Sequence, residues 1–272
     1  MRKLLLHIIF AAAVIITSGS CRGTAGISPT SEDSLQFDSI NVDTLYRLSE
    51  DTAGPRCHVK ICLAYAKGKN AQAINDSIIS SRIFIDEYFN NGNKTFSVKE
   101  AVDTFTTHYI EQYREDYAEL YKADKNWGAW YNCEYEVNTG ITRPNGAYYL
   151  YTATIYAYNG GAHGSSFTVI KNINAQTGKV MTLKDIFVPG YEKQLNRLIA
   201  EKLCEMNEVK TLQELRDKTV FLGVEVYPSA NFILGEKDIE FVYSPDEIAC
   251  HAMGEIRVKI SNKELDNLFK RQ

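Results

Sequence analysis

The sequence contains no complete catalytic signature. No GxSxG stretch marks a serine held on a strained strand-to-helix turn. The five histidines fall in no spacing that would gather three or four ligands around a zinc ion. Positive charge is also short: 30 Lys and Arg face 34 Asp and Glu, a formal net charge of −4. That balance gives no electrostatic footprint for nucleic acid or an anionic membrane surface. Long apolar runs are missing too. Residues Leu4–Ile16, thirteen positions apolar apart from His7, are too few to span a bilayer comfortably. Neither an internal repeat nor a low-complexity tract occurs.

What the N-terminus does have is the layout of a secretory leader. Met1-Arg2-Lys3 is positive, the apolar run follows, and Thr17-Ser18-Gly19-Ser20 brings small residues up to Cys21. A cysteine in that place resembles the lipobox of bacterial lipoproteins. The commoner box has Leu three residues before the cysteine, where Ser18 stands here, and the relaxed form resembles that of Bacteroidota. The resemblance implies diacylation of Cys21 and a membrane anchor without a transmembrane helix, since two acyl chains hold stably where one does not. Arg22 rather than Asp follows the cysteine, and no acidic run comes at once. The expected placement is therefore the cell envelope, on the periplasmic face of the outer membrane.

Residues 22–54 are rich in Ser, Thr, Gly and Asp and show no sustained apolar period. Such a composition buries too little surface to offset the entropy of ordering, and it reads as a flexible tether. Loss of Arg2 and Lys3 with a leader of residues 1–21 would take the charge from −4 to −6. Setting Cys21 aside leaves five of the six cysteines, an odd number, so at least one thiol stays free or pairs externally. Cys57 and Cys62 lie five apart in one expected strand, point to opposite faces, and cannot bridge while that strand is regular.

The rest divides by period into an expected N-terminal part, 55–158, and a C-terminal part, 159–272. "HVKICLAYA" alternates as a half-buried strand, and a broken helical stripe follows from Asn70 to about Asn90. Ser97-Val98-Lys99-Glu100 forms a capping box opening the clearest helix, whose Tyr109, Tyr113, Tyr117 and Tyr121 recur at spacing four. Their rings would cover a sheet while their hydroxyls reach its rim. From Trp127 the period becomes two, and turn signals at Arg143–Gly146 and Ala175–Gly178 imply an antiparallel meander. Seven of the 17 tyrosines lie between Tyr131 and Tyr158, on both faces of these strands; strand propensity and cross-strand ring pairs account for them, the alternative being solvent-facing rings that contact a sugar or a partner protein. Further on, Thr182–Asp185 and Thr211–Glu214 read as helix starts, Glu192–Met206 as a helix and "NFILGEKDIEFVYS" as a hairpin. Ser244-Pro245-Asp246-Glu247 reads as one helical turn closed near Gly254, and Ser261–Glu264 caps a short last helix after the strand "EIRVKIS". The expected fold class is α+β, with helices packed on a largely antiparallel meander sheet.

"YNGGAHG", "NINAQTGKVMTLKDIF" and "FILGEKDIEFVYSPDEIACHAMGEIRVKIS" together resemble the successive signatures of an extracytoplasmic domain of unknown function. That domain occurs in RsiV-type lysozyme-responsive anti-sigma factors and in PdaC-type peptidoglycan deacetylases. "HVKICLAYAKGKNAQAINDSI" resembles its companion N-terminal domain. The resemblance spans about residues 56–268 and implies a non-catalytic module that binds a lysozyme-like protein or a peptidoglycan or other glycan partner. Two departures stand out. No deacetylase domain or sigma-binding segment lies in these residues, and Cys250-His251 replaces the Pro-Tyr that commonly follows "EIA".

His163 sits among Gly160, Gly161 and Gly164, with Asn159, Ser165 and Ser166 as near neighbours in sequence. None of these neighbours is a usual metal ligand. The glycines supply positive φ or close backbone approach. The expected candidate site is a recognition edge formed by the "GGAHG" and "SPDEIACHAMG" turns, using Tyr158, Gly160, Gly161, His163, Asp246 and His251. Loops on a rigid sheet are where binding groups collect. No metal, cofactor or nucleic acid is expected. Two alternatives are a hydrolase assembled from His163, Asp246 and His251, and a purely structural envelope protein.

Overall fold

The computed structural model describes residues 35–89 and 96–271. Two sheets carry the fold. The larger is built from β1 (Gln36–Arg47), β2 (Arg56–Lys67), β3 (Cys133–Asn145), β4 (Tyr148–Asn159), β5 (Ser165–Asn174) and β6 (Val180–Met181), in that spatial order. Every neighbouring pair is antiparallel except β2 and β3. The parallel pair follows from its connection, which passes through α1 (Ala71–Ile78) and α2 (Val98–Ala123) before returning. The smaller sheet is β7 (Phe232–Leu234), β8 (Asp238–Tyr243) and β9 (Ile256–Ser261), all antiparallel. Between the sheets in sequence lie α3 (Leu183–Ile186), α4 (Glu192–Met206) and α5 (Leu212–Asp217). The α+β class and the meander from β3 to β6 agree with the sequence reading.

Helix α2 begins where the capping box placed it: Ser97 Oγ accepts from Glu100 N at 3.2 Å, and Glu100 Oε2 accepts from Ser97 N at 2.9 Å. Its buried face, Ala101, Val102, Phe105, Tyr109 and Tyr113, lies on one face of the large sheet. The rings of Phe105 and Tyr109 sit 4.7 and 5.2 Å from that of Tyr135. Two of the stripe's hydroxyls do reach the rim. Tyr109 donates to Asn159 Oδ1 at 2.7 Å and Tyr117 to Asn159 O at 3.4 Å. The second core joins α4, through Leu195, Ile199 and Leu203, to Phe241, Val258 and Ile260 of the small sheet.

Three expectations are corrected. Residues 36–47 of the supposed tether form β1, paired over its whole length with β2. The polar residues that read as disorder are cross-strand partners: Asp43 meets His58 at 2.7 Å and Asp38 meets Lys67 at 2.6 Å, while Val42 and Thr44 are buried. The division at 158/159 is displaced as well. Strands β5 and β6 belong to the first sheet, the first core reaches Val180, and the second begins at Leu183. Finally, Ser244–Glu247 is a tight turn and not a helical one, because Asp246 adopts φ 65°; a 3-10 turn appears later, at His251–Met253. The leader, Cys21 and the first part of the tether lie outside the described residues.

Candidate functional site

The β4–β5 turn is shaped by what surrounds its glycines. Gly160 has φ +79°, and a Cβ there would fall 2.2 Å from the carbonyl oxygen of Trp130. Gly161 has φ +90°, and its carbonyl accepts a hydrogen bond from Tyr158 Oη at 2.9 Å. At Gly164 a Cβ would lie 2.5 Å from the Tyr156 ring. Both reasons given for the glycines, left-handed backbone and close approach, therefore apply. Held this way, His163 is exposed at the tip, its Nδ1 3.3 Å from Gly164 O.

The second turn is fixed from several sides. Ser244 Oγ accepts from Thr168 N of β5 at 3.1 Å, and Ser244 N donates to Glu247 Oε2 at 2.8 Å. Tyr227 Oη donates to Glu247 Oε1 at 3.1 Å, and Phe221 N donates to Ile248 O at 2.7 Å. A left-handed Asp246 at the tip costs backbone energy that these contacts hold in place. The Asp246 carboxylate meets His251 Nδ1 at 2.8 Å.

The two turns touch. The imidazoles of His163 and His251 stack with centroids 4.6 Å apart and planes 21° from parallel. Asp246, His251 and His163 thus form a continuous array on the surface, with Gly160, Gly161 and Tyr158 shaping its near end. Sequence reasoning did not single out Trp130 and Tyr156, whose backbone and ring dictate two of the glycines. Only the three-dimensional contact shows them; an aromatic in a strand sequence carries no such mark.

The array has limited chemistry. Nearly parallel rings direct their nitrogen lone pairs within stacked planes, so the two imidazoles do not converge on one ion. Among the described residues no group of three or more His, Cys, Asp or Glu is arranged to hold a metal. Asp246 and His251 resemble the acid and base of a nucleophile triad. Yet among the described residues neither imidazole hydrogen-bonds to a serine, threonine or tyrosine hydroxyl or to a thiol. Stacked, exposed heteroaromatic rings with an adjoining carboxylate are well suited to contacting another surface.

An α+β chain of two sheets is the class this geometry defines. Within it, residues 184–263 match the family described as "Protein of unknown function (DUF3298)", a stretch that coincides with the second core. A crystal structure of a DUF3298 family member from Bacteroides fragilis is similar at 27% identity and a TM-score of 0.75, over 89% of this chain and 96% of that one. A DUF3298 family protein from Pseudomonas aeruginosa, at 16% identity and a TM-score of 0.57 over 88% and 96%, shares the fold. No curated protein matches the chain.

Proposed function

We propose that the protein is a cell-envelope lipoprotein, anchored through Cys21, that acts as a non-catalytic binding module for an extracytoplasmic partner. The partner classes are a lysozyme-like protein and peptidoglycan or another glycan. The stacking of His163 on His251 carries this reading. It joins two loops from separate parts of the chain into one exposed edge, each loop carrying left-handed backbone positions, Gly160 and Gly161 in one and Asp246 in the other. The resemblance to RsiV- and PdaC-type domains supports the same reading. No helix among the described residues is long and apolar enough to cross a membrane, which is compatible with an anchor made of lipid.

The test pairs a lysozyme pull-down with a peptidoglycan sedimentation assay, each on wild type and His163→Ala. Loss of about 1 to 3 kcal/mol of binding is expected of a central contact, with the melting temperature held within a few degrees. Undiminished binding by folded His163→Ala removes the histidine from the edge, and binding of neither partner by wild type removes the reading. Cys21→Ala should move the protein to the soluble periplasmic fraction.

A further inference from the structure

Between the outer face of β4–β5 and the small sheet runs a groove of about 390 Å³, within the range of small-ligand sites. Its floor is a row of hydroxyls. Thr152 faces Ile170 and Thr154 faces Thr168 in register across β4 and β5, and Ser166 follows two residues before Thr168 on the same face. The wall is supplied by Ile233, Pro245, Glu255 and Arg257. We propose that this groove binds a short segment of an uncharged, hydroxyl-rich glycan strand, continuous with the His163–His251 edge through Pro245 and Asp246. The inference rests on the binding-module reading and specifies its ligand class.

The lining excludes the other classes. Arg257 is the groove's cation, but its Nε donates to Glu255 at 2.7 Å and its Nη1 to Glu240 at 3.2 Å. Two carboxylates around one guanidinium leave no surplus positive charge for a phosphate or an acidic ligand. Glu255 is engaged in turn, by Arg257 and by Thr168 Oγ1 at 2.7 Å, so no free carboxylate awaits a cation. A wholly apolar ligand would strip water from the floor hydroxyls without replacing it. An added peptide strand has no edge to pair with along the floor. Thr168 N donates to Ser244 Oγ, Asn231 bonds Thr168 O and Ile170 N, and β6 covers Asn172 and Ile173.

What remains is a neutral ligand offering many hydroxyl donors and acceptors. The hydroxyls of Thr154 and Ser166 make no hydrogen bond among the described residues. Glu255 keeps spare lone pairs and Arg257 spare N–H groups, the mixed donors and acceptors that sugar hydroxyls pair with. Pro245 and Ile233 give an apolar wall for a sugar ring face. The floor is set by two registered strands, so little ordering is needed on binding.

Calorimetric titration of the full chain with tetra-N-acetylchitotetraose and with cellotetraose tests the proposal. Saturable binding of at least one is expected. The double variant Thr154→Val/Ser166→Ala, which removes only unbonded hydroxyls, should weaken it at least about tenfold, and Thr154→Trp should abolish it by filling the groove. Circular dichroism of each variant controls for folding. Sugar binding untouched by folded Thr154→Trp, or binding of neither sugar, overturns the groove assignment. If lysozyme or peptidoglycan binding still depends on His163 in that case, the broader reading stands. Sugar binding blocked by Thr154→Trp, with no lysozyme or peptidoglycan binding by wild type, keeps the groove and sinks the recognition edge.

Discussion

Asn172 of β5 and Asn231, the residue before β7, tie the two sheets together across their seam. Asn172 Nδ2 donates to Phe232 O at 2.7 Å, and its Oδ1 accepts from Leu234 N at 3.2 Å. Asn231 reciprocates, with Nδ2 to Thr168 O at 2.8 Å and Oδ1 from Ile170 N at 2.9 Å. Each carboxamide thus mimics a peptide unit, and the edges of β5 and β7 are satisfied without a continuous ladder. The floor and the wall of the groove are held at a fixed spacing by these four bonds.

Asn172 is 1% exposed, so its removal strands a carbonyl and an amide where water does not reach readily. Asn172→Ala should lower stability by about 2 to 4 kcal/mol, combining two lost bonds with two unsatisfied groups. Urea denaturation measures it. A loss under about 0.5 kcal/mol would show that the seam relaxes or admits water.

Two glycines with similar dihedrals should respond differently to alanine. Gly160 (φ +79°) would drive a Cβ into Trp130 O, whereas Gly190 (φ +83°) has nothing within 4 Å. Gly190→Ala should cost only the left-handed backbone term of about 1 to 2 kcal/mol. Gly160→Ala should cost clearly more and reduce partner binding, since the turn must shift and carries His163 with it. Equal thermal shifts for the two would mean that the backbone at Trp130 yields freely.

Much of this was legible in the sequence, and the failures have physical reasons. Helix α2 announced itself because its capping box and apolar period are local. The β3–β6 meander did so because period-two runs were separated by turn residues. Strand β1 was hidden: it carries the exposed carboxylates Asp38 and Asp43, and their fitness for a strand lies in Lys67 and His58 on β2. Both turns of the candidate site were found from glycine clustering and from an unusual Cys250-His251. The stack between them was not derivable as geometry, because it depends on how the small sheet docks on β5. The groove was invisible for the same reason, its hydroxyls reading as ordinary alternation along β4 and β5.

The thiols should separate by depth. Cys57 and Cys133 are registered neighbours on β2 and β3, both buried and unbridged, while Cys250 is exposed. Burial pushes the Cys133 thiol up to about 12, and burial together with the neighbouring Cys133 raises Cys57 further. The thiolate, not the thiol, attacks the CH2 carbon of iodoacetamide and displaces iodide. At pH 8 native protein should therefore be alkylated at Cys250, with Cys57 and Cys133 reacting only after denaturation. Peptide mapping reads the order, and early labelling of Cys133 would contradict a closed core under α2.

Acid should destabilise the second unit through two carboxylates, Asp185 at the start of α3 and Glu264 in the turn after β9. Asp185 is held down to about 2 by the Lys179 ammonium and then by the backbone and hydroxyl of Thr182. Glu264 is held down to about 2 by the Ser261 hydroxyl first, then Lys202 and the Ser261 amide. For a group whose folded pKa lies below its unfolded one, the stabilisation is full above the unfolded value and vanishes as pH falls through the folded one. The ordinary values are 3.8 for Asp and 4.5 for Glu, so the loss is confined to the interval from about pH 4.5 down to about 2. Asp185→Asn and Glu264→Gln should each lower stability at neutral pH and flatten its acid dependence within that interval. Both sites are partly exposed, so salt should weaken the lysine contributions and leave the hydroxyl and amide bonds in place. Denaturation midpoints measured from pH 7 to pH 2 at low and high salt test this. A variant whose acid limb stays parallel to wild type would show that its carboxylate titrates alike in the folded and unfolded chains.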